Sequence, residues 1–171
     1  MFDIQSLDCL LDGGISGNDV HTVVISDPNG ATLTFVDTID ATSEARNRRV
    51  RIVAALGIDA WRESVTSNIA QDALSTGAEP DDENAGTSIG RVECDLGRVV
   101  TLPVHGATIE ALDPVLLVTL NGSPDAPWST LQEKVRGLAR QLTALARILL
   151  ISSSFLRDVD LLSTSALPSH Q

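Results

Sequence analysis

The sequence predicts an α/β fold of the α+β kind: a five-stranded antiparallel sheet with helices packed on it, in the order α-β-β-α-β-β-β-α. Three observations carry this prediction. Short β-branched runs come in pairs across turn-forming residues, two long stretches repeat apolar residues every three or four positions, and 171 residues suit one hydrophobic core, which serves up to roughly 250.

The elements follow in chain order. Ile4, Leu7, Leu10 and Leu11 share one helical face and predict a short amphipathic helix over residues 2–12, stopping at Gly13-Gly14. His21–Ser26 and Ala31–Val36 are strand-like runs on either side of Asp27-Pro28-Asn29-Gly30, whose residues supply the φ angles a reversal needs, so they form a hairpin. From about Ser43 to Ser67 the pattern is helical, with Val50, Val53, Ala54, Gly57, Ala60 and Trp61 on one stripe and Arg46, Arg48, Arg49 and Arg51 crowding the first half. Gly57 costs about 1 kcal/mol relative to alanine inside a helix, so a close packing approach is expected there.

Residues 75–87, STGAEPDDENAGT, are acidic and rich in turn formers and read as a flexible loop within the domain. Strands are then expected at Ser88–Asp95, Arg98–His105 and Pro114–Leu120, the first two joined at Leu96-Gly97. Residues 107–113 make the longer connection. A last helix begins at Pro127 or Trp128 and repeats Leu131, Val135, Leu138, Leu142, Leu145 and Leu149, with Thr130/Glu133 or Ser129/Gln132 as its capping box. Residues 1–151 are read as one domain and 152–171 as a C-terminal tail.

Composition narrows the function. A net charge of -11 repels phosphodiester backbones and anionic headgroups, which disfavours nucleic-acid binding and direct membrane insertion. No apolar run reaches the roughly 18 residues of a membrane span, and Phe2 stands where myristoylation needs glycine. Cys9 and Cys94 lie far apart, which favours a reducing compartment.

Catalytic and cofactor signatures are missing. His21, His105 and His170 lack metal-spaced neighbours and read as structural or solvent-facing. Glu79, Asp81, Asp82 and Glu83 lack the glycine and distal glutamate of a calcium loop and read as solvated. Gly13, Gly14 and Gly17 precede a strand, so they offer no helix N-terminus to a phosphate, and neither Walker nor nucleophile-elbow spacing occurs. The reading is therefore a protein without catalytic, cofactor or metal residues, working through protein contacts. Arg46 and Arg49 either meet a partner's carboxylates or pair with Glu44 and Asp40 on a solvated face. Ile52, Leu56 and Ile58 give the middle helix more apolar surface than one buried face uses, which points to oligomerisation.

The element order resembles the roadblock family. The segments LDCLL, VHTVVISDPNGATLTF, RRVRIVAALGIDAWRESV, VECDLGRVVTLPV, LDPVLLVTLNG and WSTLQEKVRGLARQLTALARIL, over about residues 7–150, are most similar to a subunit of the lysosomal Ragulator and fungal vacuolar EGO complexes. The acidic insertion 75–87 and the tail after Leu149 depart from that pattern. The resemblance implies a non-catalytic scaffold that pairs with a second roadblock-domain subunit. It also implies a lipidated subunit that wraps the pair and Rag-type GTPases docked for amino-acid signalling to the target-of-rapamycin kinase. The implied place is the cytoplasmic face of the lysosomal, vacuolar or late endosomal membrane, peripheral through partners. Roadblock domains pair through the middle helix and third strand, which by position implicates Arg49, Val53, Leu56, Gly57, Ala60, Arg91, Val92 and Glu93. The alternative is a prokaryotic-type roadblock homodimer that activates a small Ras-like GTPase.

Overall fold

A computed structural model of the chain describes residues 10–15, 19–72, 88–106 and 114–145. The acidic segment 75–87, the connection 107–113, the tail 152–171, Cys9 and His170 lie outside the described residues. Five strands, β1 (Val20–Ser26), β2 (Thr32–Asp37), β3 (Gly90–Cys94), β4 (Gly97–His105) and β5 (Pro114–Gly122), form one antiparallel sheet in the order β2-β1-β5-β4-β3. The helices are α1 (residues 10–14), α2 (Ser43–Asp72) and α3 (residues 128–145).

Both hairpins close through the turn chemistry of their sequences. Asp27 Oδ1 accepts from the backbone N–H groups of Asn29 and Ala31, and Gly30 takes φ +102° to return the chain into β2. At the second turn Gly97 takes φ +100° and lies so close to the Gly122 carbonyl that no Cβ fits.

The two faces of the sheet differ in kind. On one, Val23, Ile25, Val100, Leu102, Val118 and Leu120 meet Leu11 of α1 and Leu131, Val135, Leu138 and Leu142 of α3 in an aliphatic core. Full burial of each such side chain contributes about 1.5–3 kcal/mol. On the other face α2 covers Val24 and Val99 with Val50, Val53 and Ala54. Strand register puts the buried polar residues Thr22, Ser26, Thr101, Thr119 and Asn121 on this second face, beneath α2.

One local expectation is refined and two are corrected. Residues 13 and 14 form the last positions of α1, just beyond the expected residue 12 and ending at the glycine pair as expected, and a Cβ on Gly14 would stand 2.7 Å from Leu138 Cδ1, so glycine there admits α3. α3 starts at residue 128, with the Pro127 carbonyl accepting from the Leu131 N–H, so Ser129 and Thr130 lie inside the first turn and not at the cap. Ile58 is buried and approaches Gly30 of the first turn, which removes it from the outer surface of α2.

Candidate protein-interaction face

α2 is positioned by a cap and two close approaches. Thr42 caps it, its Oγ1 accepting from the Ala45 N–H and its carbonyl from the Arg46 N–H. Gly57 then lies on the hydrogen-bonded pair Thr101–Thr119, where a Cβ would stand 2.4 Å from Thr101 Oγ1. One turn later Gly90 of β3 lies under the α2 backbone at Ala60 and Trp61, again with no room for a side chain. The helix therefore crosses the sheet and ends over its β3 edge.

This crossing sorts the eight residues expected at a paired interface. Val53, Gly57 and Ala60 are buried within the chain's own core, against the sheet. Leu56 shares their row of the helix but is only half-buried, and Ile52 on the outer side is 42% exposed. On β3, Val92 is half-buried in the cluster beneath α2. Arg91 and Glu93 alternate to the other face and are exposed. Glu93 pairs with Arg98 at 3.3 Å, and Gln132, with its carboxamide oxygen turned to the guanidinium, accepts from Arg91 at 3.0 Å from Nε. Outward surface thus remains at Ile52 and Leu56 on α2 and at Arg91 and Glu93 on the edge strand β3.

Arg49 has a different place from either sequence reading. Its Nη2 donates to Asn121 Oδ1 at 2.7 Å and lies against the His21 ring, 3.1 Å from Nδ1 and 3.4 Å from Nε2. His21 Nδ1 also lies 3.1 Å from Thr22 Oγ1, which itself donates to Asp37 Oδ1. Burial, then the Arg49 charge, hold the His21 imidazole below its ordinary pKa, against the opposing pull of Asp37 and the Gly122 backbone. Asn121 Nδ2 in turn donates to the carbonyls of Leu96 and Arg98, so one network ties α2 to β1, β5 and the β3–β4 turn. Sequence reasoning missed Asn121 and Asp37 as partners of this network. They lie 72 and 12 residues from Arg49, and nothing in their neighbours marks them.

Among the described residues no three His, Cys, Asp or Glu side chains gather as a metal site, and no helix is long and apolar enough to cross a membrane. Cys94 is half-buried, its thiol donating to the Gly97 carbonyl at 3.5 Å.

The arrangement of sheet and helices is the roadblock/LC7 fold. Solved structures with the same arrangement include a roadblock/LC7 domain from Streptomyces avermitilis, 14% identical, with a TM-score of 0.51 over 81% of this chain and 95% of that one. The gliding protein MglB from Thermus thermophilus is 10% identical, with a TM-score of 0.52 over 83% and 89%. MglB from Myxococcus xanthus is 10% identical, with a TM-score of 0.51 over 84% and 97%. No protein-family model matches the sequence, and no curated protein does. At these identities the likeness establishes the fold.

Proposed function

We propose that the chain is a non-catalytic roadblock-type adaptor that pairs with a second roadblock-domain chain across α2 and β3. The carrying observation is that α2 crosses the edge strand β3, Gly90 lying under Ala60 and Trp61, while Leu56, in the same helical row as Ala60, and Ile52, one turn before Leu56, keep outward apolar surface. An unpaired strand edge next to apolar helix surface is a ready template for a matching edge and helix, which would continue the sheet across both chains. In this reading Leu56, Arg91, Val92 and Glu93 make the junction. Val53, Gly57 and Ala60 shape it from within, and Arg49 holds the helix that bears it.

The finer assignment rests on the sequence resemblance to Ragulator and EGO subunits. The paired scaffold would be wrapped by a lipidated subunit at the lysosomal or vacuolar surface and would dock Rag-type GTPases for signalling to the target-of-rapamycin kinase. The likeness to MglB supports a second reading, a homodimer that regulates a small Ras-like GTPase. Co-purification at native expression level, with the bound chains identified, tests the first. GTP hydrolysis by a candidate GTPase, accelerated by this chain alone, would overturn the pure scaffold in favour of the second.

Pairing itself is tested by Leu56→Asp combined with Ile52→Asp, which puts unpartnered carboxylates into the junction. The variant is expected to keep its melting temperature and lose the mass of the complex in light scattering. An unchanged mass from a well-folded variant overturns the proposed face.

A further inference from the structure

On the opposite edge of the sheet a trough runs between β2 and α2. Its main cavity holds about 620 Å³ and is lined by the consecutive strand residues 32–35 together with Asn47, Val50 and Arg51. A second cavity of about 300 Å³ shares Gly30, Thr32 and Arg51 with it and extends toward Arg62. Side chains alternate along a strand, so a cavity touching four consecutive residues follows the strand's edge and not one of its faces. The Thr38 N–H donates to the His21 carbonyl, which fixes the ladder phase and turns the Phe35 N–H and C=O away from β1. A register shift at Ile25/Ser26 leaves Leu33 facing outward at 58% exposure, the largest value of any large apolar side chain described.

The charge of the trough runs against that of the chain. Arg51 and Arg62 line it with Asp59, and Arg48 and Glu44 line an adjoining cavity that shares Asn47 and Arg51 with it, although the whole sequence carries -11. Arg62 is used locally, its Nη2 donating to the Pro28 carbonyl and holding the first turn against α2. Arg48 and Arg51, three residues apart, form no ion pair with a carboxylate among the described residues. Like charges at that helical spacing cost stability, and Glu44, four residues before Arg48, offsets this without a formed ion pair.

We propose that this trough receives an extended acidic segment of a partner protein, added as a strand beside β2. Phe35 offers it main-chain hydrogen bonds, Leu33 an apolar contact, and Arg48 and Arg51 meet carboxylates on its α2-facing side. A polynucleotide fits less well, because the net negative charge repels a dense phosphate backbone and the one aromatic residue lining the trough, Phe35, is packed against the cluster beneath α2. The β2 edge lies opposite β3, and although Arg48 shares a cavity with Ile52 of the pairing face, Leu33 is remote from that face, so Leu33→Glu separates this site from pairing.

The test is an NMR titration of the isotope-labelled full chain with a capped seven-residue peptide alternating threonine and glutamate. Controls are the threonine–lysine counterpart and a short oligothymidylate. Saturable shifts are expected at the Leu33 and Phe35 amides, with the lysine peptide silent. Affinity is expected to fall at least about tenfold in Arg48→Glu/Arg51→Glu, and likewise in Leu33→Glu, which changes only an exposed side chain. The proposal is overturned by absence of saturation at millimolar peptide, by shifts confined to β3, or by undiminished binding to both variants. Equal binding of the lysine peptide, or tighter binding of the oligonucleotide at the same amides, overturns it too.

Discussion

At Gly57 two residue-scale effects oppose each other. Alanine is the better helix former by about 1 kcal/mol, yet its Cβ would stand 2.4 Å from Thr101 Oγ1 and 2.6 Å from Thr119 Oγ1. Overpacking of a buried site costs about 1–3 kcal/mol, and here it also disturbs the Thr101–Thr119 hydrogen bond, so the clash wins. Gly57→Ala is expected to lower stability by about 2 kcal/mol in urea unfolding, and an unchanged midpoint would refute the close approach. A larger residue such as glutamate would disrupt α2 packing outright, which makes Gly57 unsuitable as a probe of pairing. His21 gives the pH dependence. Its folded pKa lies below the ordinary value of about 6.5, so between the two the unfolded chain binds more protons. This residue's contribution is therefore intact above about pH 6.5 and is lost as pH falls toward the folded value. Urea midpoints compared at neutral and mildly acidic pH should fall less steeply for His21→Asn than for the unchanged chain; parallel profiles would refute the lowering of the His21 pKa by burial and Arg49. The close approach at Gly57 was legible in the sequence, because a glycine within a helical stripe needs a reason. The Arg49 network was not, since Arg49, His21 and Asn121 meet only after three elements have packed.

At the scale of elements, periodicity carried most of the information. The five strands, their hairpins and the α2 stripe of Val50, Val53, Ala54 and Gly57 follow from spacing and turn residues, which act locally. What spacing could not resolve is which flank of α2 each outward residue occupies. Ile58 reads as surplus apolar surface along the helix, yet the Asp27–Gly30 turn folds back over it. The same limit applies to the expected junction residues: the helical row of Val53, Leu56 and Ala60 is evident from sequence, but only the crossing over Gly90 shows that Leu56 alone of the three retains outward surface. The expected consequence is a split between substitutions one turn apart. Val53→Asp should unfold the chain by burying an unpaired charge, whereas Leu56→Asp should leave the circular dichroism spectrum unchanged and weaken assembly. Loss of fold in both would remove the distinction between core and junction.

At the scale of the molecule, the sheet holds its helices by two different means. α1 and α3 rest on an aliphatic layer, whose burial free energy depends little on orientation. α2 rests partly on Thr22, Thr101, Thr119 and Asn121, whose hydrogen bonds stabilise by about 1 kcal/mol each and only while geometry is kept. Ser26 Oγ, also buried on this face, and Nε of Arg46 and Arg49 have no hydrogen-bond partner. Partner-free polar atoms under one helix lower the free energy of opening that helix alone. The face proposed for pairing is thus carried by an element that rests partly on unsatisfied polar atoms, and a bound partner would add what the polar layer lacks. Native-state hydrogen exchange should accordingly show amides in the first half of α2 opening at lower free energy than those of β5 and α3, with the gap narrowing in the complex. Ser26→Ala, which removes one partner-free hydroxyl, should raise the opening free energy of α2 by about 0.5–1 kcal/mol without slowing exchange in α3. Equal protection of α2 and α3 in the isolated chain would show that the polar layer holds α2 as firmly as the aliphatic one holds α3.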